Sequence, residues 1–138
     1  MTLADIHVQR YLATKDVVVL ATIGADGTPL ATPMWFLQDA SALTMVSIET
    51  TQKVRNLRRD PRLFVVAESG TRDDVRGVSM RGRAEFLTDS PERRALADRW
   101  LTKYDPHAER LWKGRTMPPN RVMFRITPEH VYAWGLGG

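Results

Sequence analysis

Thr50, Thr51 and Lys53 lie near the start of "IETTQKVRNLRRDPRL", residues 48–63, a stretch with Lys53, Arg55, Arg58, Arg59 and Arg62 inside ten positions. Hydroxyls beside an ammonium group, at the start of a segment that reads as a helix over 50–60, are the chemistry of an anion site. Backbone N–H groups left free there already favour negative charge. With Thr50 as N-cap, Lys53 takes the third helical position, where a capping box would put Glu or Gln. A cation so placed opposes the helix dipole by roughly 0.3–1 kcal/mol. A phosphate docked on the free N–H groups, the threonine hydroxyls and Lys53 reverses that sign. A solvated lysine paired with Glu49 is the plain alternative. Arg58 and Arg59 fall in the last turn and complement the dipole with no ligand.

The same stretch does not suit nucleic acid. At about 100° per residue, Val54 and Leu57 form the stripe that faces the core, with Lys53 on one flank and Arg55 and Arg59 on the other. The charges form no single stripe to lay along a phosphate backbone.

A second unusual stretch is "TPLATPMWFL", residues 28–37. Pro33 inside a strand implies an edge or a bulge, with backbone freed from the ladder. Met34, Trp35 and Phe36 follow at once. A planar aromatic ligand could lie against such backbone and soft apolar side chains. The alternative is ordinary packing, with Met34 and Phe36 in the core and Trp35 against a neighbour. Trp134 has a similar pair of readings, as a core aromatic at a strand end or as a pocket wall.

Other chemistries lack their residues. The chain has no cysteine, which excludes disulfides, thiolate metal sites and thiol catalysis. His7, His107 and His130 lie in separate elements without metal-ligand spacing, and no metal site is expected. No glycine-rich phosphate loop is present, and the acidic residues are dispersed. The 138 residues suit one domain, spanning 1–138, and the net charge of +4 permits an anionic ligand. No apolar run reaches the roughly 18 residues of a membrane span, so no membrane partner and a cytoplasmic location are expected.

These residues need elements to hold them. A helix is expected over 2–13, capped by Thr2, and strands over 17–23, 28–37 and 43–48. Asp26-Gly27 supplies the turn between the first two strands. After the basic helix come strands over 63–67 and 75–87, the latter with Gly77 and Gly82 as bulge or crossing points. Ser90 caps a further helix that has Pro91 at its first position. Residues 105–120 read as a long connection, and strands over 121–126 and 131–134 follow. Consecutive antiparallel strands in so short a chain favour a small closed barrel.

Taken in order, "VVLATIGADGTPLATPMWFL", "TTQKVRNLRRDPRLFVV" and "VSMRGRAEFL" resemble the pyridoxamine-phosphate-oxidase-like split β-barrel proteins. More narrowly, they resemble the class B flavin/deazaflavin oxidoreductases of actinobacteria. The resemblance covers 16–87 well. It implies a mainly β fold, a six-stranded antiparallel split barrel of the FMN-binding-protein type, working as a homodimer with cofactor grooves shared between subunits. It implies that Thr51-Gln52-Lys53, with Thr50 and Arg55 adjacent and Asn56 nearby, helps hold a cofactor phosphate. By the same resemblance Thr32, Pro33, Met34 and Trp35 line the tricyclic ring, and Ser47 is a further candidate.

The vitamin B6 oxidases carry an Arg and a Lys on the second strand. Residues 28–37 have neither, which points away from oxidation of pyridoxamine phosphate. The resemblance instead implies coenzyme F420, with FMN as the alternative cofactor. The expected activity is hydride transfer from reduced deazaflavin to an electron-poor double bond of a small molecule: an enone, a quinone-like compound or a tetrapyrrole such as biliverdin. The alternatives are an FMN-dependent oxidoreductase and a non-catalytic flavin, deazaflavin or haem binder. No residue stands out as a catalytic acid.

Overall fold

The computed structural model describes residues 1–137. Its elements are α1 (Ile6–Ala13), β1 (Val17–Ile23), β2 (Pro29–Trp35), β3 (Leu37–Gln38), β4 (Leu43–Ile48), α2 (Gln52–Arg59), β5 (Arg62–Gly70), β6 (Val75–Phe86), α3 (Pro91–Lys103), α4 (His107–Trp112) and β7 (Arg121–Trp134). The strands form one antiparallel sheet in the order β2-β1-β5-β6-β7-β4-β3. It is a mainly β chain whose sheet curls into a half-barrel with short helices.

Alternation along the strands sorts side chains to two faces. Leu20, Val65, Met80 and Val131 lie in register across four strands and are buried. Around them Leu12, Phe36, Met45, Phe124 and Ile126 fill the barrel interior. The next row faces outward and pairs Val19 with Val66, Val66 with Ser79, and Ser79 with Tyr132. Val17, Val19, Phe64 and Tyr132 leave large apolar side chains exposed on that outer surface. A second core lies behind β4. There Val46 and Met123 pack against Leu96, Trp100, Leu101 and Tyr104 of the α3 region and Trp112 of α4.

Several boundaries differ from the sequence expectation, each for a local reason. Asp5, not Thr2, caps α1, its carboxylate accepting from the His7 amide at 2.9 Å. The sheet has seven strands where the resemblance implied six; the expected 28–37 strand breaks at Phe36, and the two-residue β3 pairs with β4 instead of β1. Residues 121–134 form one strand, not two. Its partner register jumps from Arg81–His130 to Gly82–Pro128, so Glu129 bulges out and Pro128 is absorbed without a break. The bulge falls at Gly82, where a Cβ would come within 2.5 Å of the Thr127 carbonyl oxygen. Gly77 is a close approach of another kind, since a Cβ there would lie 2.3 Å from the Trp134 ring. The 105–120 connection contains α4, held by buried Ala108 and Trp112 one turn apart.

Candidate cofactor site

The pairing of β3 with β4 stops at Leu37–Thr44. Beyond it the chain of β2 turns away to pair with β1. The two strands diverge, Pro33–Trp35 on one side and Met45–Ile48 on the other. β4 then leads straight into α2, so one wall of the split continues into the basic helix.

On the β4 side, the Thr51 hydroxyl donates to the Ile48 carbonyl at 2.9 Å and lies 3.2 Å from the Ser47 hydroxyl. Thr51, not Thr50, is the N-cap of α2, and its side chain caps nothing. A threonine at this position normally satisfies an N–H of the first turn. Here the hydroxyl is turned back on the strand, which leaves those N–H groups available to an outside acceptor. Lys53 therefore sits in the first turn, one position earlier than expected. Its ammonium is half-buried, and burial lowers its pKa from 10.5. Among the described residues no ion pair includes Lys53, so the Glu49 pairing is not formed. Arg55 starts from the opposite flank, but its guanidinium folds back to the helix start. It donates to the Thr50 carbonyl and to the Gln52 side chain, both at 2.8 Å.

Asn56 stands apart from this group. It is fully buried, accepting from Gln52 at 2.8 Å and donating to the Thr22 hydroxyl at 3.0 Å. That bond and one from Arg59 to the Ile23 carbonyl fasten α2 to the end of β1. Arg58 covers the Phe86 ring, 4.1 Å from its centroid.

β2 forms the other wall. The Gly24 amide donates to the Thr28 carbonyl at 2.8 Å, which sets the hydrogen-bonded pairs of the hairpin. By alternation, Leu30, Thr32 and Met34 spend their backbone groups on β1, while those of Ala31, Pro33 and Trp35 point to the open edge. Pro33 thus sits where its missing N–H costs no rung. Its side chain is exposed, whereas Met34 is buried in the barrel core. The Thr32 hydroxyl is buried with no hydrogen-bond partner. Trp35 is partly buried and packs on Tyr104, with ring centroids 4.4 Å apart and planes 3° apart.

Tyr104 and Lys103, which the sequence did not single out, fix this wall. The Tyr104 hydroxyl accepts from the Phe36 amide at 2.7 Å and lies within donating reach of the Asp16 and Phe36 carbonyls at 2.7 and 2.8 Å. Lys103 donates to the Phe36 carbonyl at 2.6 Å and stands 3.6 Å from the Phe36 ring centroid. Burial lowers the Lys103 pKa to about 8 and raises that of Tyr104 to about 12. The only available sequence signal was two polar tips at the end of an amphipathic helix.

What the arrangement offers is a phosphate-type terminus, an open strand edge and an aromatic stack, with the Thr32 hydroxyl on the interior face beside Leu20 and Met34. A phosphorylated tricyclic cofactor suits that set. Among the described residues, no cluster of His, Asp or Glu could hold a metal ion. Nor is any helix long and apolar enough to cross a membrane.

A half-barrel split in this way defines the class. The sequence matches the pyridoxamine 5'-phosphate oxidase family over residues 4–135, and the chain belongs to that family. No curated protein matches it. Among solved structures, a conserved hypothetical protein from Mycobacterium tuberculosis is 31% identical, with a TM-score of 0.78 over 99% of this chain and 86% of that one. The haem storage protein HutZ from Vibrio cholerae shares the fold at 16% identity and a TM-score of 0.78, over 96% of this chain and 94% of that one. An F420 reductase shares it at 24% identity and a TM-score of 0.61, over 84% of this chain and 88% of that one.

Proposed function

We propose that this chain is a cytoplasmic, homodimeric, F420-dependent reductase of small electron-poor acceptors. The observation that carries the reading is Lys53, a half-buried cation with no carboxylate partner among the described residues, at the positive end of α2. An anion held there gains the helix N–H groups and a charge-assisted bond at once. Thr50 adds a hydroxyl, Ser47 and Thr51 hold each other and the Ile48 carbonyl beside it, and Arg55 adds a second cation near the same terminus. The open edge of β2 from Thr32 to Trp35 receives the ring. F420 is favoured over FMN because β2 brings no basic side chain, and because a net charge of +4 suits a cofactor with an anionic tail.

When bound, reduced F420 supplies the hydride. The chain's own residues bind, orient and exclude water. No side chain at the split is placed as an acid, so the proton that completes reduction comes from solvent or substrate. The exposed outer rows of β1, β5 and β7 fit a second copy of the chain, which would complete the groove.

Oxidation of reduced F420 in the presence of an enone, a quinone or biliverdin tests the reading. Turnover supports it. Tight binding without turnover of any acceptor would favour a carrier, and a yellow preparation with an FMN spectrum would favour the flavin-dependent alternative.

A further inference from the structure

A cavity of about 610 Å³ lies between the first turns of α3 and residues 115–119. Its volume suits a small organic molecule. Arg93, Arg94 and Arg115 line it, against the carboxylates of Asp89 and Asp98. Two of the three guanidinium groups are already engaged. Arg94 pairs with Asp89 at 3.2 Å, and Arg115 pairs with Asp105 at 3.2 Å and Glu109 at 3.3 Å.

Arg93 is different. Its backbone amide donates to the capping Ser90 hydroxyl at 3.1 Å, which fixes it in the first turn of α3, where a cation opposes the dipole. Among the described residues it pairs with no carboxylate. Its Nε is buried without a hydrogen-bond partner. That nitrogen is closed to a ligand, so an anion in the cavity would meet the outer guanidinium nitrogens, which pair with no carboxylate among the described residues. The rest of the lining is apolar, with Ala97 on α3 facing Met117 and the two prolines that follow.

We propose that this cavity binds an organic anion, its carboxylate or phosphate group on Arg93 and its apolar body against Ala97 and Met117. Its lining shares no residue with the Lys53 group, and the proposal stands whichever cofactor the split holds. Benzoate and phenyl phosphate are suitable probes, and they also tell the two anion classes apart. Calorimetric titration of the Lys53→Ala chain, whose proposed cofactor phosphate site is disabled, should show at least one of them binding at one per chain. Arg93→Gln in that background should weaken the binding about tenfold or more, the scale of a lost charge-assisted bond. Should Arg93→Gln fail to fold, a soaked crystal of the unaltered chain decides, with the anionic group expected on Arg93. Binding of neither probe at millimolar concentration would overturn the proposal. So would affinity unchanged in Arg93→Gln, or a probe seated elsewhere.

Discussion

The Tyr104 hydroxyl takes the hydrogen bond of the Phe36 amide at 2.7 Å and reaches the Asp16 carbonyl at 2.7 Å. By the alternation of the β1–β2 ladder, this is the place of its next rung. A side chain from the end of α3 thus stands in for a strand partner, at the point where β2 must leave β1 and become β3. The same ring stacks on Trp35 and so sets one wall of the split. Tyr104→Phe keeps the stack but strands a buried N–H and a carbonyl. Urea unfolding should show a loss of about 1–3 kcal/mol.

The pair Lys103 and Tyr104 also predicts a pH profile. Burial holds Lys103 at about 8 in the folded chain against 10.5 when free. Between those values the unfolded chain still binds a proton that the folded chain has released, so stability rises with pH. Tyr104 acts in the opposite sense, at about 12 folded against 10.0 free. Its contribution is complete below the free value and is lost as pH climbs through the folded one. Denaturant midpoints should therefore climb above about pH 8 and fall again beyond about pH 10. Lys103→Met should remove the climb and keep the fall.

The outer rows predict assembly. Val17, Val19, Phe64 and Tyr132 are exposed on one face of the sheet. Light scattering should report two chains per particle. If the proposed dimer forms through this face, Phe64→Glu puts a charge into the contact and should give a folded monomer with weakened cofactor binding, since the proposed groove is shared. A monomer in the unaltered chain with full cofactor affinity would count against the shared groove.

Much of this was legible in the sequence. The β-branched run from Val17 to Ile23 is a strand in any context, and Ser90-Pro91-Glu92 starts a helix by local chemistry alone. Pro33 and Lys53 stood out because each breaks a local rule, and they lie in β2 and in the first turn of α2. What stayed hidden depends on distant contacts. Thr50 and Thr51 are equally good caps by type, and only the pull of Ser47 and Ile48 on the Thr51 hydroxyl shows which one caps and that its side chain is engaged elsewhere. Asn56, which the resemblance sets near a cofactor phosphate, has its amide buried against Thr22 on β1. The role of Tyr104 spans 68 residues of chain to Phe36, beyond any local pattern. Arg93 gives no local signal, because its partners in the cavity wall come from 115–119, more than 20 residues away.

The most direct measurement of the central claim is a binding titration of F420, with FMN as the comparison, on the unaltered chain and on Lys53→Ala. The account predicts that F420 binds more tightly than FMN. It predicts that Lys53→Ala loses about 1.5–3 kcal/mol of F420 affinity, as for one charge-assisted hydrogen bond, with its unfolding midpoint unchanged. F420 affinity that survives Lys53→Ala intact, or FMN bound more tightly than F420, would contradict it.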